Sequence, residues 1–122
     1  MAKYIYYNVN PRGEEIGDCV IRAISLATNI DYYEIERLLY ETGDYYKCEE
    51  LCVCCYSRLL EEYFNLEPIE CEGMTANDFA NKYPVGTYLI RMNAHLSVII
   101  DSNIYDIWNC GNEKLTIAWR VD

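Results

Sequence analysis

The hydrophobic period of the chain changes once, near Pro84. Before that point apolar residues mostly recur every three or four positions, which is the period of an α-helix. After it, short runs rich in β-branched and aromatic residues alternate with turn-forming residues, as in antiparallel strands. Helices in one half and strands in the other predict an α+β fold, in which N-terminal helices pack on one face of a small C-terminal antiparallel sheet.

Capping residues set the expected helix bounds. Asp18 suits the N-cap of a first helix, and Asp31 with Glu34 has the spacing of a capping box for a second that ends at Thr42-Gly43. A third helix is predicted over residues 46–64. A short fourth helix should follow Thr75 and stop before Pro84.

The predicted strands are five. One lies at residues 4–9, before the helices. The other four form a meander over residues 87–92, 95–100, 104–108 and 115–121. A length of 122 residues suits one domain with one core, so residues 1–122 are predicted to form a single unit.

Charge and cysteine content limit the function and the compartment. The chain has 20 acidic and 10 basic side chains, a net charge of -10, which disfavours nucleic acids and anionic membranes as partners. No apolar run is long enough to span a membrane, and the first ten residues are too polar for a signal peptide. We therefore expect a cytoplasmic location, where the seven cysteines would stay reduced.

Of the seven cysteines, Cys19 has the sequence surroundings that most favour a reactive thiolate. It falls in the first turn of the first predicted helix, where the helix dipole favours an anion and lowers a thiol pKa. Arg22 lies one turn later, facing away from the apolar stripe, and would add positive potential. A core position is the alternative, since free cysteine is among the most buried residue types.

A general base and its orienting group are available in the second half. His95 is the only histidine, and it begins a predicted strand. Asp106 lies on the following strand, where a carboxylate can fix the tautomer of an imidazole and stabilise its charged form. Without such a geometry, His95 would be a surface residue and Asp106 an edge-strand charge.

The order of these residues resembles the papain-like cysteine peptidase superfamily, specifically small bacterial and bacteriophage members with a Gly-Asp-Cys-Val-x-Arg-Ala opening, here residues 17–23. The resemblance covers both halves of the chain and implies a papain-like fold. It implies Cys19 as the nucleophile, His95 as the base and Asp106 as the orienter. Trp108, two positions after Asp106, would shield the pair.

Two positions depart from that pattern or leave it open. The glutamine that usually precedes the cysteine and donates to the oxyanion is absent from residues 13–18, which makes Asn10 the nearest candidate donor. A two-residue turn at Ser102-Asn103 would place Asp106 several residues along the strand from His95. Asn109 is therefore an alternative orienter if the turn is longer.

The resemblance implies a cysteine-dependent hydrolase of a peptide, isopeptide or related amide bond that works through an acyl-enzyme and needs no cofactor. Its substrate would be a protein or peptide, and its location a bacterial or phage-infected cytosol. The alternative is a non-catalytic protein on the same fold, such as a phage protein that blocks a host factor, because a fold alone does not assign function. The sequence sets neither the substrate nor the oligomeric state.

A second cysteine group suggests zinc, though less strongly. Cys52 and Cys55 have the spacing of a zinc knuckle, and Cys48 and Cys54 lie close in sequence. Yet Cys48, Cys52 and Cys55 fall on one helical stripe that continues through Leu59 and Tyr63, as a buried apolar face does. We therefore expect a core stripe and no metal, since a closed site would also need Cys71 or Cys110.

Overall fold

The computed structural model describes residues 2–122 and confirms the α+β class. These described residues form four α-helices and six strands, and a π-helical turn, Leu59–Tyr63, continues the third helix. The elements are β1 Lys3–Tyr6, α1 Cys19–Thr28, α2 Tyr32–Tyr46, α3 Val53–Arg58, β2 Pro68–Glu70, α4 Ala76–Lys82, β3 Thr87–Met92, β4 His95–Ile100, β5 Asn103–Asp106 and β6 Leu115–Arg120.

The strands form one mixed sheet in the order β1-β5-β4-β3-β6-β2. The predicted antiparallel meander holds for β3, β4 and β5, but β6 crosses to the far side of β3. The prediction of a purely antiparallel sheet was wrong at one edge, because β1 pairs with β5 in parallel. Strand β2 was not predicted, since its three residues begin with a proline and end with an exposed glutamate.

Both faces of the sheet are covered, which corrects the expectation of helices on one face. Side chains alternate along a strand, so Leu89 faces the core formed with α1 and α2. Its neighbours Tyr88 and Ile90 face the second core, which contains Phe79 and Ala80 of α4. Helix α1 lies across β4 and β3 on the first face, and this packing places the start of α1 beside the start of β4.

The end of α2 differs from the prediction. The helix runs three residues beyond Gly43 to Tyr46 and ends at Lys47, which is left-handed at φ 59°. Gly43 does not end the helix but allows the Cys48 backbone to pack close to it, because a Cβ on residue 43 would lie 2.7 Å from the carbonyl oxygen of Cys48.

Within residues 2–122, no helix is both long and apolar enough to span a membrane.

The third helix starts at Val53 and not near residue 46, so Cys48 and Cys52 precede it in the connecting loop. Of the predicted stripe, Cys55 and Leu59 are buried, whereas Tyr63 is 62% exposed. The even spacing of these residues suggested one helix because period alone cannot reveal a break between two helical segments. The expectation that Cys48 and Cys52 belong to a core stripe was therefore wrong.

The β4–β5 turn lies one residue earlier than expected. Asp101 and Ser102 both have positive φ, 47° and 71°, as the central residues of a type I′ hairpin turn do. The register pairs Ile100 with Asn103 and Val98 with Tyr105. Its continuation brings Asp106 opposite Ser97, on the face of the sheet that also holds His95.

The N-terminus of α4 carries a complete capping box, as predicted. The Thr75 hydroxyl accepts a hydrogen bond from the Asp78 backbone N–H, and the Asp78 carboxylate accepts one from the Thr75 N–H. We expect Thr75→Ala to lower the free energy of unfolding by about 1 kcal/mol because a helix N–H loses its acceptor. Urea unfolding measures this, with Thr75→Ser as the control that keeps the hydroxyl. Equal losses in both variants would contradict the assignment.

Candidate active site

Cys19 is the first residue of α1, and its thiol faces the start of β4. Burial acts to raise the pKa of this half-buried thiol. Hydrogen bonds from His95 and the Leu96 backbone N–H, with the positive charges of His95 and Arg22, outweigh burial and hold the pKa below its ordinary value. The surroundings of Cys19 therefore favour a thiolate.

His95 lies between the thiol and a carboxylate. Its Nε2 is 2.7 Å from Oδ2 of Asp106, and its ring also makes a hydrogen bond with Cys19. Burial acts to lower the pKa of His95, but these two partners raise it to about 9. A lowered thiol pKa beside a raised imidazole pKa favours a thiolate–imidazolium pair at neutral pH. The edge-to-face ring of Trp108, 5.0 Å away between centroids, packs on the imidazole and is itself 44% exposed.

Asp106 is buried and its carboxylate has four hydrogen-bond donors. Oδ2 accepts from His95 and from the Ser97 hydroxyl at 2.6 Å, and Oδ1 accepts from the Ile107 N–H at 2.7 Å and Arg22 Nη1 at 3.1 Å. Burial acts to raise the pKa of Asp106, but the hydrogen bonds from His95 and Ser97 and the His95 charge lower it. The carboxylate is thus held ionised and in one orientation behind the imidazole.

Arg22 is buried and joins two buried carboxylates, which the sequence analysis did not predict. Its Nε is 2.6 Å from Oδ1 of Asp18, and its Nη1 reaches Asp106. Asp18 also accepts hydrogen bonds from Tyr32 at 2.7 Å and Asn10 at 2.9 Å. Because these partners occupy its carboxylate, Asp18 lies at the N-cap position of α1 but its side chain makes no capping hydrogen bond.

Asn10 belongs to that network, and its contacts do not fit the expected oxyanion donor. Its amide nitrogen donates to Asp18, while its side-chain oxygen accepts from the backbone N–H groups of Arg12 and Glu14. These bonds use both ends of the carboxamide to shape residues 10–14. Asn109, the alternative orienter, is exposed and accepts from the Gly111 N–H at 3.1 Å, so of the two candidate orienters it is Asp106 that is bonded to the imidazole.

The thiol opens into a cleft of about 250 Å³ between α1, the loop before α3 and the β3–β4 turn. Its walls are mainly apolar, and Arg91 contributes a guanidinium. Arg91 donates to the Thr116 hydroxyl at 2.7 Å and forms no ion pair with the described residues. The apolar lining includes Val20, Leu51, Val53, Tyr56, Met92 and Leu96.

A second thiol, that of Cys110, lies close to the imidazole but differs from Cys19 in its protonation state. Burial raises the pKa of Cys110 to about 12, so it stays a neutral thiol. Cys110, His95 and Asp106 offer potential ligand atoms within 4.8 Å of one another. The His95 and Asp106 atoms already bond to each other, which leaves this group better suited to proton transfer than to holding a metal.

Sequence reasoning missed Ser97 and the ionic partners of Arg22. Ser97 could have been found from strand period, since it shares a face with His95 two residues earlier. The i,i+4 spacing of Asp18 and Arg22 also signals an ion pair. Leu51, in the loop before α3, and Val53, the first residue of α3, carried no signal, because only the tertiary fold brings them to the cleft.

The arrangement combines a favoured thiolate, an imidazole able to give or take a proton and a fixed carboxylate at a cleft open to solvent. Those are the parts of nucleophilic catalysis at an acyl carbon. Comparison with family models, curated proteins and solved structures found no match for this chain.

Proposed function

We propose that this protein is a cysteine-dependent hydrolase of the papain-like kind, which cleaves a peptide, isopeptide or related amide bond. The observation that carries the proposal is that the Cys19 thiol and the His95 imidazole line one cleft, with the imidazole bonded to the buried Asp106 carboxylate at 2.7 Å and lowering the pKa of the thiol. Three residues far apart in sequence converge in the order that acyl transfer needs: nucleophile, base and orienter.

In the proposed reaction the Cys19 thiolate attacks the carbonyl carbon of the scissile amide. The backbone N–H of Cys19, in the first turn where helical N–H groups lack intrahelical acceptors, donates to the oxyanion. His95 gives its proton to the leaving amine as the C–N bond breaks, which leaves a thioester on Cys19. Water then loses a proton to His95 and attacks the thioester, releasing the acid and restoring the thiol.

The proposed partner is a protein or peptide in the cytoplasm. The apolar cleft walls suit an apolar side chain next to the scissile bond, and exclusion of water there strengthens the electrostatic interactions of the thiolate. An amine in place of water would give acyl transfer from the same thioester.

The reactivity of Cys19 tests the state of the site without knowledge of the substrate. At pH 6.5 a free thiol is on the order of 1% ionised, so we expect iodoacetamide to alkylate Cys19 about tenfold or more faster in the native chain than in urea. The rate should fall as pH drops through the lowered Cys19 pKa and stay level up to about pH 9, where His95 loses its proton. Mass spectrometry of the Cys19 peptide measures the rates.

A native rate at pH 6.5 equal to the rate in urea would contradict the proposed thiolate. Activity itself is tested with a peptide library and Cys19→Ala, which should abolish hydrolysis while circular dichroism stays unchanged. If Cys19→Ala retains the full biological effect of the protein, the effect comes from binding alone and the hydrolase proposal fails.

A further inference from the structure

Three cysteine sulfurs that the proposed reaction does not use converge where the α2–α3 loop meets α3. Cys48 and Cys52 lie in the loop and Cys54 lies in the first turn of α3. Their sulfur atoms are all within 4.8 Å of one another, and those of Cys52 and Cys54 are 2.8 Å apart. Both Cys48 and Cys52 are partly exposed and Cys54 is exposed, so an ion in solution can reach the group.

Backbone hydrogen bonds hold the loop in this shape. The Cys48 N–H donates to Gly43 O at 3.1 Å, and the Cys52 N–H donates to Glu49 O at 3.0 Å. The close approach of Cys48 to Gly43 leaves no room for a Cβ on residue 43. The thiols are therefore brought together by the fold of the main chain before any ligand binds.

The spacing suits a thiolate-bound metal ion. Zinc–sulfur bonds of about 2.3 Å in a tetrahedron place the sulfurs roughly 3.8 Å apart. All three sulfurs already lie within 4.8 Å of one another, so binding would require only that the 2.8 Å separation of Cys52 and Cys54 widen. Soft thiolates select Zn²⁺ over Mg²⁺ or Ca²⁺. The helical stripe that argued against zinc in the sequence does not exist, because Cys48 and Cys52 lie outside α3.

We propose that Cys48, Cys52 and Cys54 bind one Zn²⁺ ion through their sulfur atoms. Each ligand thiol gives its proton to solvent as its Zn–S bond forms, and water completes the tetrahedron on the exposed side. Cys55, next to Cys54 in the chain, is not a ligand in this proposal, because it is buried and its thiol donates to the Leu39 carbonyl oxygen at 3.6 Å.

The ion would fix one wall of the active-site cleft. Leu51, Cys52 and Val53 line that cleft. Cys52 is itself a ligand, and Leu51 and Val53 are its neighbours in the chain. Binding would hold this segment in one conformation without touching Cys19. The zinc proposal rests on the loop geometry and stands whether or not the chain is a hydrolase.

Metal content of the full chain tests the proposal. Protein reduced with a phosphine, stripped with a chelator and reloaded with Zn²⁺ should retain about one equivalent after gel filtration, measured by mass spectrometry of the metal. Cys52→Ser/Cys54→Ser should retain less than about a tenth of that. Cys71→Ala, which removes a thiol from the core on the other face of the sheet, and Cys19→Ala should both retain the full equivalent.

A second readout is proton release. Addition of Zn²⁺ to the stripped chain in a weakly buffered indicator solution should release two to three protons per ion, because the bound ligands are thiolates. Retention of less than about a tenth of an equivalent by the parent chain, or equal retention by Cys52→Ser/Cys54→Ser, would overturn the site. A Cys52–Cys54 disulfide that persists in the phosphine-treated chain would overturn it too.

Discussion

Replacing Arg22 with methionine should lower the free energy of unfolding by about 3–5 kcal/mol at neutral pH. Methionine keeps much of the side-chain volume but removes the charge that joins Asp18 to Asp106, so two buried carboxylates lose their cation. That loss is a large share of the roughly 5–15 kcal/mol by which a domain of this size is stable. Urea unfolding at pH 7 measures it.

The defect of Arg22→Met should shrink in acid. The folded-state pKa values of Asp18 and Asp106 are lowered in the parent chain, so their contribution to stability exists above the unfolded carboxyl pKa near 3.9 and is lost as pH falls through the folded values. Without Arg22 the two carboxyls can accept protons at higher pH. The two stability curves should therefore converge towards low pH.

Arg37→Met is the matched control for that experiment. Arg37 pairs with Glu34 and Glu41 on the exposed face of α2, and surface ion pairs contribute about 0–1 kcal/mol. A loss below about 1 kcal/mol in Arg22→Met, or equal losses in the two variants, would show that the buried pair does not stabilise the fold.

Asp106→Asn should remove most of the reactivity of Cys19. An amide carries no charge, so the pKa of His95 should fall from about 9 towards its ordinary value and the thiolate at pH 6.5 should lose its counter-charge. For a hydrolase of this kind we expect turnover to fall by about 10²–10⁴-fold, as it does when the orienting carboxylate of a triad is lost. The alkylation profile of Cys19 should shift to higher pH.

Ser97→Ala separates the charge of Asp106 from its orientation. It removes one hydrogen bond to Oδ2 but leaves the carboxylate, Arg22 and His95 in place. We expect a smaller fall in the alkylation rate than in Asp106→Asn, and a pH profile close to that of the parent chain. A parent-like alkylation rate at pH 6.5 in Asp106→Asn would contradict the role assigned to the carboxylate.

The sequence sufficed to predict the elements that carry Cys19 and His95, because capping and strand signals are local. Helix α1 begins at Cys19 and β4 begins at His95, as expected. The position of Asp106 relative to His95 was harder to predict, because it depends on the register of the β4–β5 hairpin. Shifting the expected turn by one residue, from Ser102-Asn103 to Asp101-Ser102, brings Asp106 opposite Ser97 and within reach of the imidazole.

Long-range features were beyond reach of local patterns. The apolar residues from Cys48 to Tyr63 have helical spacing, but residues 47–52 form the loop between α2 and α3. In that loop the Cys48 backbone packs against Gly43 of α2. The bond between Arg22 and Asp106 was not predicted, because the two residues lie 84 positions apart in the sequence. Asn10 was chosen for its amide and its nearness to Cys19 in sequence, whereas the fold directs that amide to Asp18.

The parallel pairing of β1 with β5 bears on when the protein becomes reactive during its synthesis. The Asp106 carbonyl accepts hydrogen bonds from the Tyr7 N–H at 3.0 Å and the Tyr4 hydroxyl at 3.1 Å, so β1 can pair only after β5 has been synthesised. A nascent chain exposes Cys19 early, yet the carboxylate that charges His95 arrives only after β5. We therefore expect the pKa of the Cys19 thiol to stay ordinary until β4 and β5 have been synthesised and have folded against α1, because His95 and Asp106 lie on those strands.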